Sequence, residues 1–329
     1  MFYILRYGDI MKNIKVISLI FVSGLFAAGC NSISEPPVSA QVFNILTAQS
    51  AQVTAATPTT PAVTISSVDA ASSSDGLGGI TVTGTNSGDL TFGASDLTNV
   101  RNDAYILAKP ADTSVPGFTT SEKLVVGGAR NNLKYGDYGY WMETITAADT
   151  SVSPVYNWAS FTLFDPANAS QSIPTNDSTN YAYSGKMLGG LNLYDVDNNL
   201  VEVDEVTGNI TLNANFFNNS LSGTMNFMVG NTPWYNGTIT STGGAQADGS
   251  FTGTITLDNS YSGKFALTSG AGAGYVTTLS GQFLGPATKI PAEAVGQFSI
   301  ICNPGSVNNY GGTGKGYRPE VYGSFGVKK

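Results

Sequence analysis

Leu221-Ser222-Gly223-Thr224-Met225-Asn226-Phe227-Met228-Val229 places apolar side chains and glycine at every second position, with polar residues at most of the positions between. The same alternation runs through Ile210, Leu212, Ala214 and Phe216 before it, and through Phe251, Gly253, Ile255 and Leu257 after it. Period two is the signature of a strand with one face buried. A short motif, an apolar residue followed by Ser or Thr and then Gly, recurs at Tyr183-Ser184-Gly185, Leu221-Ser222-Gly223, Phe251-Thr252-Gly253, Tyr261-Ser262-Gly263 and Leu279-Ser280-Gly281. Between the runs stand Asn218-Asn219, Gly243-Gly244 and Asp248-Gly249, residue pairs that accept positive φ and reverse a chain. Hairpins in series follow. Glycine inside a strand is destabilising unless curvature or close backbone approach requires it, so its recurrence on the inward face predicts a small closed antiparallel barrel.

Composition agrees with an all-β chain. The 329 residues include 39 glycines, and only 12% are charged. No long helical periodicity follows the first thirty residues. The formal net charge is −8. Removal of residues 1–29, with Arg6, Asp9, Lys12 and Lys15, leaves 12 basic against 22 acidic residues, a net of −10. Such a balance argues against a nucleic-acid partner, whose phosphates need a basic footprint.

The N-terminus carries an address. Met11-Lys12-Asn13-Ile14-Lys15, the apolar run Val16 to Phe26 and the small residues Ala27-Ala28-Gly29 read as a bacterial secretory signal over 1–29. The alternative is a signal-anchor helix, for which the apolar run is short. Cys30 stands directly after the small residues, and the arrangement resembles the lipobox of bacterial lipoproteins. It implies that Cys30 carries acyl chains, palmitate among them, which together bind a membrane durably where one chain binds marginally. Asn31 stands where lipoproteins retained at an inner membrane often carry Asp, which points to the outer membrane. Residues 30–75, rich in Ser, Thr, Ala and Pro and nearly free of charge, read as a flexible tether with at most a short strand near Val63–Ile65.

Residues 76–179 form a second, less regular β region. Ile80-Thr81-Val82-Thr83 and Leu90-Thr91-Phe92 alternate, and Ala104-Tyr105-Ile106-Leu107 is a buried-strand candidate stopped by Pro110. The densest aromatic stretches, Leu133 to Met142 and Tyr156 to Phe164 with Trp158, are either core or a binding face. The acidic run Asp195, Asp197, Asn199, Glu202, Asp204 and Glu205 has the opening of a calcium loop. Leu200 replaces the glycine of its sharp turn and Val206 its bidentate glutamate, so a solvated hairpin is expected instead.

The C-terminal part, residues 180–329, resembles the barrel of the transferrin-binding protein B family. The residues carrying the likeness are Gly281, Phe283, Gly285, Pro286, Glu293, Gly296, Phe298, Phe325, Gly326, Lys328 and Lys329. The Tyr135–Trp141 segment is similar to the family's preceding handle. The resemblance implies one lobe: a lipid anchor, a tether, a handle of strands and an eight-stranded antiparallel barrel. It further implies a surface-facing lipoprotein exported by an outer-membrane translocon, which binds an extracellular host protein or an iron- or haem-related ligand. One lobe instead of two brings the single-lobe relatives closer in size. A structural or adhesive envelope lipoprotein without an iron-related ligand is the competing reading.

Catalysis finds little support. The chain has no histidine, which removes a His general base, a His-ligated haem and an ordinary zinc site. Cys302 is the one cysteine besides Cys30 and has no histidine to activate it, so a structural or loop cysteine is expected rather than a reactive thiol. No nucleophile elbow or phosphate-cradling loop occurs, and no carboxylate pair can be nominated from spacing. No cofactor and no metal ligand is assigned.

Overall fold

The computed structural model describes residues 42–47, 50–55, 63–67, 79–85, 87–114, 116–148, 154–164, 168–169, 173–198, 200–230, 232–246, 248–258, 267, 274–286, 289–303, 307–308 and 316–329. The signal segment 1–29 and Cys30 lie outside them. Among the described residues, all regular structure other than two short 3-10 turns is β-strand, in three antiparallel assemblies.

The first is a five-stranded meander of β1 (Val42–Thr47), β2 (Ser50–Ala55), β3 (Val63–Ser67), β4 (Ile80–Thr85) and β5 (Gly88–Phe92). Three of these strands fall inside 30–75, where composition predicts a tether. Uncharged Ser, Thr, Ala and Val describe a linker and an edge sheet equally well, and Ile65, only 1% exposed, shows that β3 is packed. The second meander holds β6 (Leu97–Val100), β7 (Tyr105–Ala108), β8 (Phe118–Val126), β9 (Gly136–Ala147) and β10 (Val155–Phe164). Ile65, Ile80, Val82 and Phe92 of the first sheet pack against Leu107, Leu124, Trp141, Phe161 and Leu163 of the second.

The third assembly is a closed barrel. Its eight strands are β11 (Tyr181–Tyr194), β12 (Leu200–Asn215), β13 (Ser220–Val229), β14 (Thr232–Ala245), β15 (Ser250–Leu257), β16 (Tyr275–Leu284), β17 (Glu293–Cys302) and, after the two-residue β18 (Val307–Asn308), β19 (Gly316–Lys328). Closure comes from β11 pairing with β19, from Ser184 opposite Lys328 to Tyr194 opposite Arg318. The alternating runs behave as their period requires. Ile210, Leu212, Ala214, Leu221, Met225, Phe227, Val229, Phe251, Ile255 and Leu257 are all buried in the interior.

The interior is filled with rings. Phe283 lies 5.4 Å from Tyr183, 5.1 Å from Phe216 and 5.0 Å from Phe251, centroid to centroid, and Phe298 lies 5.6 Å from Phe227. Room for them comes from glycine. Phe251, Phe325 and Phe298 stand directly opposite Gly281, Gly296 and Gly323 on neighbouring strands. A Cβ on those glycines would meet the Cζ of the facing ring at 2.3, 2.4 and 2.4 Å, well inside contact distance. Each ring therefore lies over bare backbone.

Two of the expected turns are turns. Asn219 has φ +55° at the β12–β13 reversal, and Gly249 has φ +80° beside Asp248, whose carboxylate accepts the Ser250 amide at 2.9 Å. Gly243-Gly244 is different. It is a bulge inside β14, where the register passes from Ser241 opposite Gly253 to Gly244 opposite Thr252. Gly244 has φ +65°, its amide donates to Ser241 Oγ, and a Cβ there would strike the Asn219 carbonyl oxygen at 2.1 Å. Turns and bulges use glycine for the same left-handed backbone, so sequence alone does not separate them.

The ring-over-glycine packing is tested by a double-mutant cycle in urea. Gly323→Ala should destabilise the chain by about 1–3 kcal/mol through overpacking. Gly323→Ala with Phe298→Leu should cost less than the sum of the single changes, because the smaller side chain vacates the contested space. Strict additivity would show that ring and glycine do not compete.

Candidate functional site

The second sheet faces the first with one side and the barrel with the other. Along β9, Trp141 and Glu143 point between the two sheets, while Tyr138, Tyr140 and Met142 point at the barrel wall. The aromatic stretch thus divides by alternation. Trp141, Tyr138 and Tyr140 are core, at 1%, 0% and 3% exposure, and Trp158, Met142 and Tyr156 stay half-buried.

Docking of the sheet is polar at its edges and tight at its centre. The Glu293 carboxylate, at the start of β17, accepts the amides of Lys134 at 2.6 Å and Tyr135 at 2.8 Å. Ser324 Oγ donates to the Gly139 carbonyl at 2.8 Å, and Gln297 Nε2 donates to the Ser160 carbonyl at 3.2 Å. Tyr138 lies over Gly326, where a Cβ would sit 2.5 Å from its ring. Farther along, Trp158 rests on Gly190, stacks edge-on with Tyr322 at 5.6 Å and donates from Nε1 to Asn192 Oδ1 at 3.2 Å.

Beyond Trp158 the two surfaces diverge and leave a groove of about 180 Å³. Lys123, Tyr140, Met142, Tyr156 and Trp158 line its sheet side, and Gly189, Gly190, Val203, Asp204 and Glu205 its barrel side. One end is closed by an ionic cluster. Arg101 grips both oxygens of Glu205 at 2.6 Å and also binds Asp103 at 2.7 Å, while Tyr140 OH donates to Glu205 at 2.8 Å. Burial pushes Asp103 up, yet the hydrogen bonds and charge of Arg101 outweigh it and hold Asp103 below the usual carboxylate range. Burial lowers the Lys123 pKa; the charge of Glu205 acts upward and that of Arg101 downward. Lys123 Nζ lies 5.4 Å from the centre of the Tyr140 ring. The arrangement can bind: it offers aromatic walls, a glycine floor and one cation.

The acidic run of the β11–β12 connection does make a hairpin, with Asn198 at φ +59° and its amide donating to the Asp195 carbonyl at 3.0 Å. Glu205 departs from the expected solvated face, because β12 carries it into the Arg101 cluster. Cys302 lies inside the barrel at 2% exposure, where burial first and Glu320 second push its thiol up to about 12. That leaves it an inert structural thiol. Cys30 cannot be placed, being outside the described residues. Lys123 gave no signal in the sequence beyond lying two residues before Val125 on the same face of a strand.

A carboxylate pair does form, where spacing nominated none. Glu122 and Glu143 are directly opposite on β8 and β9, between the two sheets, at 3% and 0% exposure. Trp141 Nε1 donates to Glu122 Oε2 at 2.6 Å, and Asn157 Nδ2 donates to Glu143 Oε2 at 2.7 Å. Glu122 Oε1 has no hydrogen-bond partner among the described residues, which a proton shared with Glu143 would satisfy. The pair is walled off from any substrate. Burial, then the charge and hydrogen bond of Glu143, hold Glu122 well above the usual range; near the other end of β9, burial pushes Asp137 up to about 7.

No family model matches the chain, and no curated protein matches it. Among solved structures, a mutant of the vaccine antigen transferrin-binding protein B from Haemophilus parasuis Hp5 is similar at 16% identity, with a TM-score of 0.36. The match covers 85% of this chain and 53% of that one, so this chain spans about half the length of that structure.

The buried carboxylates fix a sign. A carboxyl whose folded pKa is raised binds more protons in the native than in the unfolded state, so its contribution is full below the unfolded value and is lost as pH rises through the folded one. Between about pH 4.5 and 7, Glu122→Gln should lose less stability than the wild type, because its amide gives Glu143 a permanent donor. Melting temperatures across that range measure the difference. Parallel curves would rule out a shared proton.

Proposed function

We propose that this chain is a lipid-anchored protein of the outer membrane, facing the cell surface, that captures an extracellular protein or an iron- or haem-related nutrient ligand without catalysis. The observation that carries the binding reading is the half-buried trio Trp158, Tyr156 and Met142, left beside Lys123 where sheet and barrel part. Aromatic residues and methionine in a desolvated cleft are the chemistry of recognition sites. A barrel packed solid with rings offers its ligand the outside, at the groove and the connecting loops. The anchor reading rests on Ala27-Ala28-Gly29-Cys30, with acyl chains on Cys30 and export through an outer-membrane translocon. The acidic surface suits a basic partner.

Protease shaving of intact cells tests the placement. With wild-type protein the barrel should be cleaved from outside. With Cys30→Ala, cell-associated and cleavable protein should fall together. Protection of a normally lipidated chain in intact cells would assign it to the periplasmic side and leave the structural envelope reading.

A further inference from the structure

We propose that the Lys123 end of the groove is a binding site for a small monoanionic aromatic carboxylate, held by the Lys123 ammonium and stacked against Trp158. This rests on the same groove being a binding site, assigns it a ligand class other than the protein or iron- or haem-related one proposed above, and does not depend on where the protein resides.

The argument starts from register. Lys123 is opposite Met142, and Met142 is opposite Trp158, so the three form one row across β8, β9 and β10 on the barrel-facing side. An ammonium has three donors and no acceptor. Among the described residues Lys123 Nζ meets the Tyr140 ring and no hydrogen-bonding oxygen. The carboxylate best placed to serve it, Glu205, is occupied on both oxygens by Arg101 and also accepts from Tyr140. A partly buried cation over an aromatic face, with no hydrogen-bonded counter-ion among the described residues, is stabilised by an arriving anion.

Charge and size narrow the class. Asp204 lines the opposite side and disfavours a second negative charge on the ligand. A cationic ligand is disfavoured because Lys123 already covers the Tyr140 face. A cavity of about 150 Å³ lined by apolar side chains holds benzene in another, engineered protein, and ligand sites for larger molecules run from about 300 Å³ upward. At about 180 Å³ the groove matches one ring with a small substituent and is too small for a macrocycle. Trp158 supplies the stacking surface, anchored by its bond to Asn192.

The experiment is a fluorescence titration of the purified full chain with sodium benzoate, alongside benzamide as the neutral isostere. Trp141 and Trp234 are 1% and 0% exposed in the other cores and serve as internal background. Benzoate should perturb Trp158 emission saturably, at least tenfold more tightly than benzamide. Lys123→Met should abolish that preference, and Trp158→Phe should remove the signal while calorimetry still detects binding. Circular dichroism of both variants checks that they fold. Equal affinity for benzoate and benzamide, a preference that survives Lys123→Met, or no binding at millimolar benzoate would each overturn the proposal. Protease shaving reads placement and not Lys123, so failure of either proposal is recognised separately.

Discussion

Ring against bare backbone is the constraint on which the structure depends. An eight-stranded barrel has an interior just wide enough for side chains to fill. Here the filling is phenylalanine, and phenylalanine fits because the residue opposite has no Cβ. Gly281, Gly296 and Gly323 sit on three consecutive strands of the sheet, β16, β17 and β19, and each accepts a ring from its neighbour. A fully buried phenylalanine contributes about 1.5–3 kcal/mol by removal from water, more than the ~1 kcal/mol that glycine costs an element interior. The exchange therefore favours glycine at these sites.

The same strands carry the outer wall on which the second sheet sits. Gly326 receives Tyr138 on the outside as Gly296 receives Phe325 on the inside, so one stretch of wall is tightly packed on both faces. Glu293 shows how polar groups are spent there. Its buried carboxylate is a raised-pKa group, pushed up by burial and opposed by the amides it accepts, and those amides belong to Lys134 and Tyr135 at the entry to β9. Breaking it would strand a buried acceptor and two donors, a cost of about 1–3 kcal/mol per group. The groove exists because this tight contact stops at Trp158.

Most of the barrel was legible in the sequence because its information is local. Alternation over β12, β13 and β15 names the interior directly, and Gly281, Glu293, Gly296, Phe298, Phe325 and Gly326 each pack the barrel or dock the second sheet on it. Those residues specify a shape, which is why they can be recognised without revealing a ligand. The groove was not legible because it is made by register between distant strands. Arg101 and Glu205 are 104 residues apart, and Trp158 meets Asn192 across 34. The bulge at Gly243-Gly244 and the strands β1 and β2 escape the sequence for a third reason: the same residue types serve two conformations there. The aromatic stretch lay between these cases, since alternation sends half of it inward and leaves Trp158 and Tyr156 at the rim.

The pairing of β11 with β19 has a consequence for when the molecule can exist. Neighbouring strands elsewhere in the barrel are mostly joined by hairpins, which form quickly, but the closing seam joins the first barrel strand to the last. Its contacts are the most distant in sequence that the barrel makes, and such contacts form late. Until Gly316–Lys328 arrives, β11 and β17 each lack a neighbour, and the wall that receives Tyr138 and Trp158 is incomplete. The barrel wall is therefore complete only once β19 has paired along both of its edges, with β17 and with β11.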